Sequence, residues 1–243
     1  MGMKTMQDDI VEHFLTANTH DNLLFFTDSG KVFQTQVYEI PEGTRVARGR
    51  GLMNFLETST EEKVLSLVPM HKIKSGEERA EKFLVMVTKN GRIKKTSLDE
   101  FENVRKSGII AIKLEKGDLV KKVVKTTGQD DIVLVTKSGA AIRFKEKDIR
   151  PMGRSAAGVK GIRLKKGDEV IGMDVIGIPN TQLPISNTKE KTKQFLLVVM
   201  ENGYGKRTEV GQYKVQGRGG SGIKTAKITS KTGNIMMSSI LDD

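Results

Sequence analysis

Clusters of Lys and Arg recur along the chain, and their chemistry is that of phosphate binding. Guanidinium and ammonium groups hold phosphate oxygens by charge-assisted hydrogen bonds and position a nucleic-acid backbone without reading its bases. The clusters follow turn glycines at positions 30, 91, 139 and 203, so they return at a nearly regular spacing. The candidate phosphate ligands are Arg45, Arg48, Arg50, Lys94, Lys95, Arg105, Lys106, Arg143, Lys145, Arg150, Arg154, Lys160, Lys206, Arg207, Arg218 and Lys224.

The net charge of the 243-residue chain is +11, from 41 Lys and Arg against 30 Asp and Glu, and it is unevenly distributed. Residues 1–82 carry −3, residues 83–170 carry +10 and residues 171–243 carry +4. A concentrated excess of this kind is typical of a face that binds a negatively charged polymer. Lysines scattered over a solvated surface are the alternative interpretation.

Several function classes are disfavoured by composition. No apolar stretch approaches the ~20 residues of a membrane-spanning helix, and the N-terminal residues lack the apolar core of a signal peptide. The chain has no Cys and three His, so disulfides and Cys-ligated zinc are excluded and a metal or acid–base site has little material. We therefore predict a soluble, cytoplasmic protein with no metal site.

Motifs of catalysis are weak or misplaced. Gly217–Gly222 spells G-x-G-x-x-G, but it leads into an alternating strand pattern rather than a helix, so we reject it as a nucleotide site. His20-Asp21 resembles half of a catalytic pair, yet Asp21 stands where a strand begins, which favours a turn role. The sequence has no aromatic-interleaved basic patch of the kind that stacks single-stranded bases, which favours duplex over single-stranded DNA. The sequence predicts a binding protein without catalytic residues or cofactors.

Four similar repeats determine the predicted architecture. In each, an apolar run of strand length ends in an Asn-Gly or Ser-Gly turn and is followed by a second strand with basic residues, which is the pattern of a β-hairpin. The apolar runs begin at Leu23, Phe83, Ile132 and Phe195. A further glycine then opens an alternating third strand in each repeat, at Gly51, Gly108, Gly158 and Gly222, and a fourth strand follows.

Four units of about four strands predict an all-β, propeller-like array of four-stranded antiparallel blades, with repeats at about 8–70, 83–125, 130–176 and 194–241. Insertions at His71–Lys82 (a short helix) and Gly177–Lys193 (a surface loop) make the spacing uneven. The loops between second and third strands are basic in every repeat. Because equivalent loops of successive blades face the same rim, we expect a positive track there; unrelated basic loops are the alternative.

A family resemblance is carried by Phe14–Phe26, Tyr38-Glu39-Ile40-Pro41, Ala47–Gly51, Gly158–Leu164 and Asn202–Thr208. These stretches closely resemble the C-terminal domain of DNA gyrase A, over about residues 8–243 and in all four repeats. The resemblance implies a β-pinwheel, in which blades exchange strands with their neighbours and duplex DNA wraps around the outside.

The resemblance also implies a role within a larger enzyme. The whole type II topoisomerase uses ATP and magnesium elsewhere to introduce negative supercoils, so residues 1–243 are expected to be a non-catalytic DNA-wrapping domain without a cofactor. The implied partners are double-stranded DNA, the remainder of gyrase A and gyrase B, with a monomeric isolated domain in the bacterial cytoplasm at the nucleoid. The equivalent domain of topoisomerase IV and a protein-interaction scaffold are the alternatives.

Two departures from the family pattern concern blade number and a signature motif. Family members usually have six blades, whereas four repeats are present here. The motif Q-R-R-G-G-K-G is expected just before Met1, and Gln216–Gly222 matches five of its seven positions in the last repeat. We interpret Gln216–Gly222 as a degenerate copy of the motif that contacts DNA.

Overall fold

Four apolar runs form the first strands of four β-hairpins, as their β-branched and aromatic residues predict. The computed structural model describes residues 11–44, 49–59, 62–71, 80–177 and 193–243. The hairpins are β1 (Asn22–Thr27) with β2 (Lys31–Gln36), β4 (Phe83–Thr88) with β5 (Arg92–Ser97), β8 (Asp131–Thr136) with β9 (Ala140–Lys145), and β12 (Gln194–Met200) with β13 (Gly205–Glu209).

Each hairpin gains a third, antiparallel strand on the side of its first strand. These inner strands are β3 (Val64–Met70), β7 (Val120–Thr126), β11 (Val170–Ile176) and β15 (Ile235–Asp242). The sheet orders are β3-β1-β2-β6, β7-β4-β5-β10, β11-β8-β9-β14 and β15-β12-β13. Successive inner strands contact one another, which brings the four sheets together along one side.

The outer strand of each of the first three sheets comes from the following repeat. The strands are β6 (Ile109–Ile110), β10 (Val159–Lys160) and β14 (Ile223–Lys224), and they pair with β2, β5 and β9 respectively. After two residues each exchanged strand turns away to bond the hairpin glycine of the same sheet, as when Gly161 N and Ile162 N donate to Gly91 O. The prediction of an all-β array of antiparallel blades is confirmed, and the sheets exchange strands.

The third strand predicted for the first repeat, at Gly51–Leu56, is wrong. The structure has a 3₁₀ helix at Leu52–Asn54 instead, with exposed Leu52 and Met53 side chains. Its counterparts are strands because a preceding hairpin offers them a free edge. A two-residue strand has no other source of ladder hydrogen bonds, and among the described residues no hairpin precedes the first repeat, so here the segment closes its own turn. Unlike the first three sheets, the fourth has three strands among the described residues, one fewer than predicted.

The core is divided into layers between successive sheets. Leu24 of β1, Leu84 of β4 and Val123 of β7 share one buried cluster, while Ile93, Leu134 and others share the next. A third cluster joins the third sheet to the fourth through residues such as Val135 and Val198. Each fully buried aliphatic side chain contributes about 1.5–3 kcal/mol relative to an exposed one, so the layers fix each blade against its neighbour.

Short 3₁₀ helices follow the second strands, at Val37–Glu39, Leu98–Phe101, Glu146–Asp148 and Val210–Gln212. The predicted short helix in His71–Lys82 and the loop at Gly177–Lys193 fall largely outside the described residues. Within the described ranges, no helix has the length and apolar character needed to cross a membrane.

Candidate nucleic-acid interface

The basic loops between second strands and exchanged strands, named here the rim loops, comprise residues 102–108, 149–158 and 213–222. Each of the latter two lies along the second strand of the preceding repeat. Pro151 forms a parallel bridge with Lys95, and Met152 N donates to Lys95 O at 2.8 Å. One repeat later, Val215 bridges Arg143, and Gln216 N donates to Arg143 O at 2.8 Å. The rim loops at 149–158 and 213–222 are therefore placed in the same register, one repeat apart.

Most of the predicted phosphate ligands are accessible in this arrangement, while Arg45 and Arg48 lie outside the described residues. Lys106 Nζ lies 3.1 Å from Glu39 Oε1, an exposed ion pair that contributes little stability and so leaves the lysine free to exchange partners. Arg154 is half-buried, with its Nε 3.5 Å from Glu100. The exposed residues of the predicted set are Arg50, Arg105, Lys106, Arg150, Lys160, Lys206, Arg207, Arg218 and Lys224.

Arg218, in the segment that resembles the family motif, connects the third and fourth repeats. Its Nε donates to Asp148 O at 2.9 Å and its Nη1 donates to Lys160 O at 3.1 Å. The backbone of the same segment adds a hydrogen bond from Gly219 N to Gly161 O at 2.7 Å. The guanidinium is exposed as well, so Arg218 both holds the junction and presents positive charge on the rim.

Lys94 is not accessible to a phosphate. Its burial shows that the prediction of Lys94 as a phosphate ligand is wrong. The side chain is fully buried, and its Nζ donates to Ala111 O at 2.7 Å and to Arg154 O at 2.5 Å. Burial lowers the pKa of Lys94 to about 8, with the Glu100 carboxylate opposing the shift. A phosphate cannot reach this ammonium group without unfolding the junction.

The prediction of Lys95 and Arg143 as phosphate ligands is also corrected. Each side chain instead bonds the 3₁₀ helix of the next repeat. Lys95 Nζ is buried and donates to Glu146 O at 3.3 Å, and it lies 3.6 Å from Glu146 Oε1. Arg143 Nη1 donates to Val210 O at 3.1 Å, while its Nε and Nη2 donate to buried Asp131 Oδ2 at 2.9 and 2.7 Å. Glu146 and Val210 are the first residues of their 3₁₀ helices. These cations therefore stabilise blade junctions.

Lys145 is only half available to a phosphate. Its Nζ lies 2.7 Å from Asp131 Oδ1, and 45% of its side chain is exposed. Asp131 thus takes two cations from one strand, Arg143 and Lys145, so the second strand of the third repeat presents less positive charge than its sequence indicates.

Three further basic residues, Lys113, Arg163 and Lys227, escaped the sequence prediction. All three are exposed, and all follow an exchanged strand at the same position of the repeat. Lys113 N donates to Ala156 O at 3.2 Å and Arg163 N donates to Gly220 O at 2.8 Å, so both lie beside a rim loop. The signal was present as an apolar–basic–apolar triplet in each of the last three repeats, Ile-Lys-Leu, Ile-Arg-Leu and Ala-Lys-Ile.

Lysines at the hairpin turns are balanced by carboxylates. Glu169 lies 3.3 Å from both Lys89 Nζ and Lys137 Nζ. Burial works to raise the pKa of Glu169, but hydrogen bonds from the two lysines outweigh it and the pKa is lowered. Glu169 stays ionised, so the turns add less positive charge than the rim loops do.

The structure brings together no catalytic constellation at the motifs considered above. Asp21 accepts from Asn18 N at 2.7 Å and from His71 Nδ1 at 2.7 Å, in agreement with a turn role. Gly217–Gly222 leads into β14, a strand rather than a helix, as the alternating pattern predicts. Among the described residues, no group of three or more His, Cys, Asp or Glu could hold a metal ion.

Comparison with known proteins places the fold and its repeats in one family. The sequence model of the family described as "DNA gyrase C-terminal domain, beta-propeller" matches residues 21–69, 82–127, 130–176 and 194–235. The DNA gyrase A protein of Staphylococcus epidermidis is 41% identical over 235 residues, which cover 97% of this chain and 24% of that protein. The Staphylococcus aureus protein is 40% identical over the same length, covering 97% and 25%. The chain thus spans about a quarter of the length of these curated relatives.

Solved structures agree with the sequence match. The C-terminal domain of DNA topoisomerase IV superposes with a TM-score of 0.81 at 24% identity, covering 98% of this chain and 69% of that one, a likeness of fold alone. The DNA gyrase A C-terminal domain gives a TM-score of 0.70 at 25% identity, covering 92% and 67%. With family matches in all four repeats and 40–41% identity over nearly its whole length, the chain belongs to the family of DNA gyrase C-terminal domains.

Proposed function

We propose that this chain binds duplex DNA on its rim loops and wraps it, as the C-terminal domain of DNA gyrase A. The observation that carries the proposal is the register of the rim loops. Those at 149–158 and 213–222 each lie on the second strand of the preceding repeat, and every rim loop presents exposed Lys or Arg, so positive charge recurs at one step per blade. A phosphate backbone passing over the blades meets this charge repeatedly.

The energetics of bending explain why the charge must recur. A bend of 40–90° over 20–30 base pairs costs roughly 1–6 kcal/mol in smooth elastic estimates. A single cluster of cations would bind straight DNA equally well, whereas clusters on successive blades are engaged together only by a curved duplex. The phosphate contacts made on the later blades offset the cost of the bend.

The proposed role within the enzyme is structural. The wrapped duplex would present a DNA segment to the remainder of gyrase A, while gyrase B uses ATP to drive negative supercoiling. The chain itself would take no cofactor and perform no chemical step. This proposal includes a bacterial cytoplasmic location, which the Staphylococcus relatives favour.

A second candidate is the equivalent domain of topoisomerase IV, whose solved structure shares this fold with a TM-score of 0.81. The relatives at 40–41% identity are gyrase A proteins, and they favour the first candidate. A protein-interaction scaffold, the third possibility, predicts no preference for long duplexes.

A duplex-length series tests the proposal. We expect affinity to rise with length beyond the span of one blade, and log affinity to fall against log salt with a slope of about −0.9 per phosphate contact. Equal affinity for short and long duplexes, or a slope near zero, contradicts wrapping.

A pair of charge-matched variants locates the contacts. Arg105→Ala with Lys106→Ala removes two cations from a rim loop and is expected to weaken binding to all sequences alike. Lys121→Ala with Lys125→Ala removes the same charge from β7, at the edge of the second sheet opposite its exchanged strand, and serves as the control. A larger loss in the control would place the DNA elsewhere.

A further inference from the structure

Lys94 occupies an apolar position of the repeat. In the hairpin registers it stands opposite Met86, as Phe33 stands opposite Phe25 and Ile142 opposite Leu134. Phe33 and Ile142 are buried, and Lys94 is buried as completely. An ammonium group at such a site loses its hydration, so it persists only where hydrogen bonds replace the water.

The two acceptors of Lys94 belong to different parts of the molecule. Ala111 O follows β6, the strand that pairs with the first sheet, and Arg154 O lies in the rim loop of the third repeat. Lys94 itself is on β5 of the second sheet. One side chain on the second sheet therefore bonds both the segment that follows β6 and the rim loop of the third repeat, and one of the carbonyls it binds belongs to a predicted DNA contact, Arg154.

The junction between the third and fourth repeats connects its rim loop to the exchanged segment without a lysine. Gly161 stands at the position of Ala111, and its carbonyl accepts from Gly219 N of the rim loop at 2.7 Å. Arg218 adds its hydrogen bond to Lys160 O. The rim loop of the fourth repeat is thus held by a hydrogen bond from its own backbone amide. The rim loop of the third repeat is held by a hydrogen bond from the Lys94 ammonium group.

We propose that Lys94 is a positioning residue that holds the rim loop at 149–158 against the second repeat and so sets the path of DNA between the second and third blades. The part of this inference that concerns DNA rests on the proposed function. The part that concerns the junction does not, because it is a statement about which contacts keep the loop in place.

Amide hydrogen exchange tests the junction and provides its own internal control. In Lys94→Met we expect Met152 N and Lys113 N, which join the second and third repeats, to lose protection by about tenfold or more. The equivalent amides of the next junction, Gln216 N and Arg163 N, are expected to keep theirs. Ile142→Met, at the same repeat position, controls for repacking, and Lys94→Arg is expected to restore protection. Unchanged protection, or equal loss at both junctions, overturns the proposal.

A measurement on the wild-type protein removes any dependence on how the variant folds. The ammonium protons of Lys94, bound to two carbonyls in a buried site, are expected to exchange with water far more slowly than those of exposed Lys147. Equal exchange rates of the two ammonium groups contradict the tether.

The DNA consequence is measured by ligating nicked circles with each protein bound. We expect Lys94→Met to bind a duplex of about 20 base pairs like the wild type but to shift the linking number at most about half as far, because a wrap needs aligned blades. An unchanged shift, in a variant whose amides have lost protection, overturns the DNA part. A wild type that gives no shift contradicts the proposed function instead, and the amide measurement still decides the role of Lys94.

Discussion

The second strands of the third and fourth hairpins, β9 and β13, carry an arginine at the same repeat position but have different surroundings. β9 is covered by β14 and a rim loop, and its Arg143 side chain is 18% exposed. No other described strand pairs with the outer edge of β13, and its Arg207, at the same repeat position, is 58% exposed. Arg207 contacts Asp243 and the ring of Phe195 instead of a neighbouring 3₁₀ helix.

The comparison shows that the role of a basic residue here depends on whether another repeat covers its strand. Under a rim loop, an arginine is a structural donor whose charge is neutralised by Asp131. On an open edge, the same arginine is a surface cation. Net charge therefore overstates what the covered strands offer to DNA, and the rim loops account for more of the accessible positive charge.

The largest expected difference between the covered Arg143 and the exposed Arg207 is in their contribution to the free energy of unfolding. Arg143→Ala leaves the buried carboxylate of Asp131 without its guanidinium and removes the bond to Val210 O, so we expect the free energy of unfolding to fall by about 3 kcal/mol. Arg207→Ala removes an exposed ion pair and is expected to cost about 0–1 kcal/mol. Urea denaturation of both variants provides the measurement. Equal losses would show that covering β9 does not change the role of its arginine.

The turn glycines provide a second contrast. A Cβ on Gly139, at a φ of +92°, would lie 2.5 Å from Ala226 O of the exchanged segment, whereas a Cβ on Gly203, at +80°, meets nothing within 4 Å. Both alanine variants bear the backbone strain, about 1–2 kcal/mol. Gly139→Ala additionally displaces a carbonyl, so we expect it to cost about 1–3 kcal/mol more. Thermal melting of both variants measures the difference. Similar losses of stability in Gly139→Ala and Gly203→Ala would contradict the close approach of the exchanged segment to Gly139.

A pH dependence separates the lysine-bridged junction from the backbone-bridged one. The pKa of Lys94 is about 8 in the folded protein, lowered by burial, against an ordinary value of 10.5. Between these values the unfolded chain binds the additional proton, so the stability of the wild type should rise with pH relative to Lys94→Met. Urea denaturation at several pH values measures the difference. A constant difference from pH 8 to 10.5 would contradict the buried ammonium.

The smallest expected effect is on the salt dependence of DNA binding. Arg150→Ala and Arg207→Ala each remove an exposed cation and should each reduce the slope of log affinity against log salt by about 0.9. Arg143→Ala, measured where it is folded, should leave the slope unchanged. An equal change for Arg143 would mean that the covered arginine reaches a phosphate.

Local features of this fold could be predicted from the residues themselves, whereas the exchange of outer strands was implied only by the family resemblance. The hairpins are predictable because Phe83–Thr88 and its equivalents carry dense apolar residues that end at a glycine turn. The exchanged strands are two residues long, and nothing within Val159-Lys160 indicates which sheet it joins. For the same reason, the sequence of Gly51–Leu56 wrongly predicts a strand.

The exposure of the predicted cations follows most directly from the sequence where they lie in loops. Arg105, Lys106 and Arg150 lie in loops and are exposed, as loop residues usually are. Lys94 and Lys95 lie on a strand, where a basic residue suggests a solvated face, yet the rim loop of the next repeat covers them. Their burial depends on the strand exchange, so it could not be read before the topology was known.

The central claim, that the rim loops wrap duplex DNA, is tested most directly by the linking number of nicked circles ligated with the wild-type domain bound. We predict a shift of one sign that grows with bound protein until saturation. Its size should fall in Arg105→Ala with Lys106→Ala and hold in the β7 control. A saturated complex that leaves the linking number unchanged would contradict wrapping, even if the domain binds DNA.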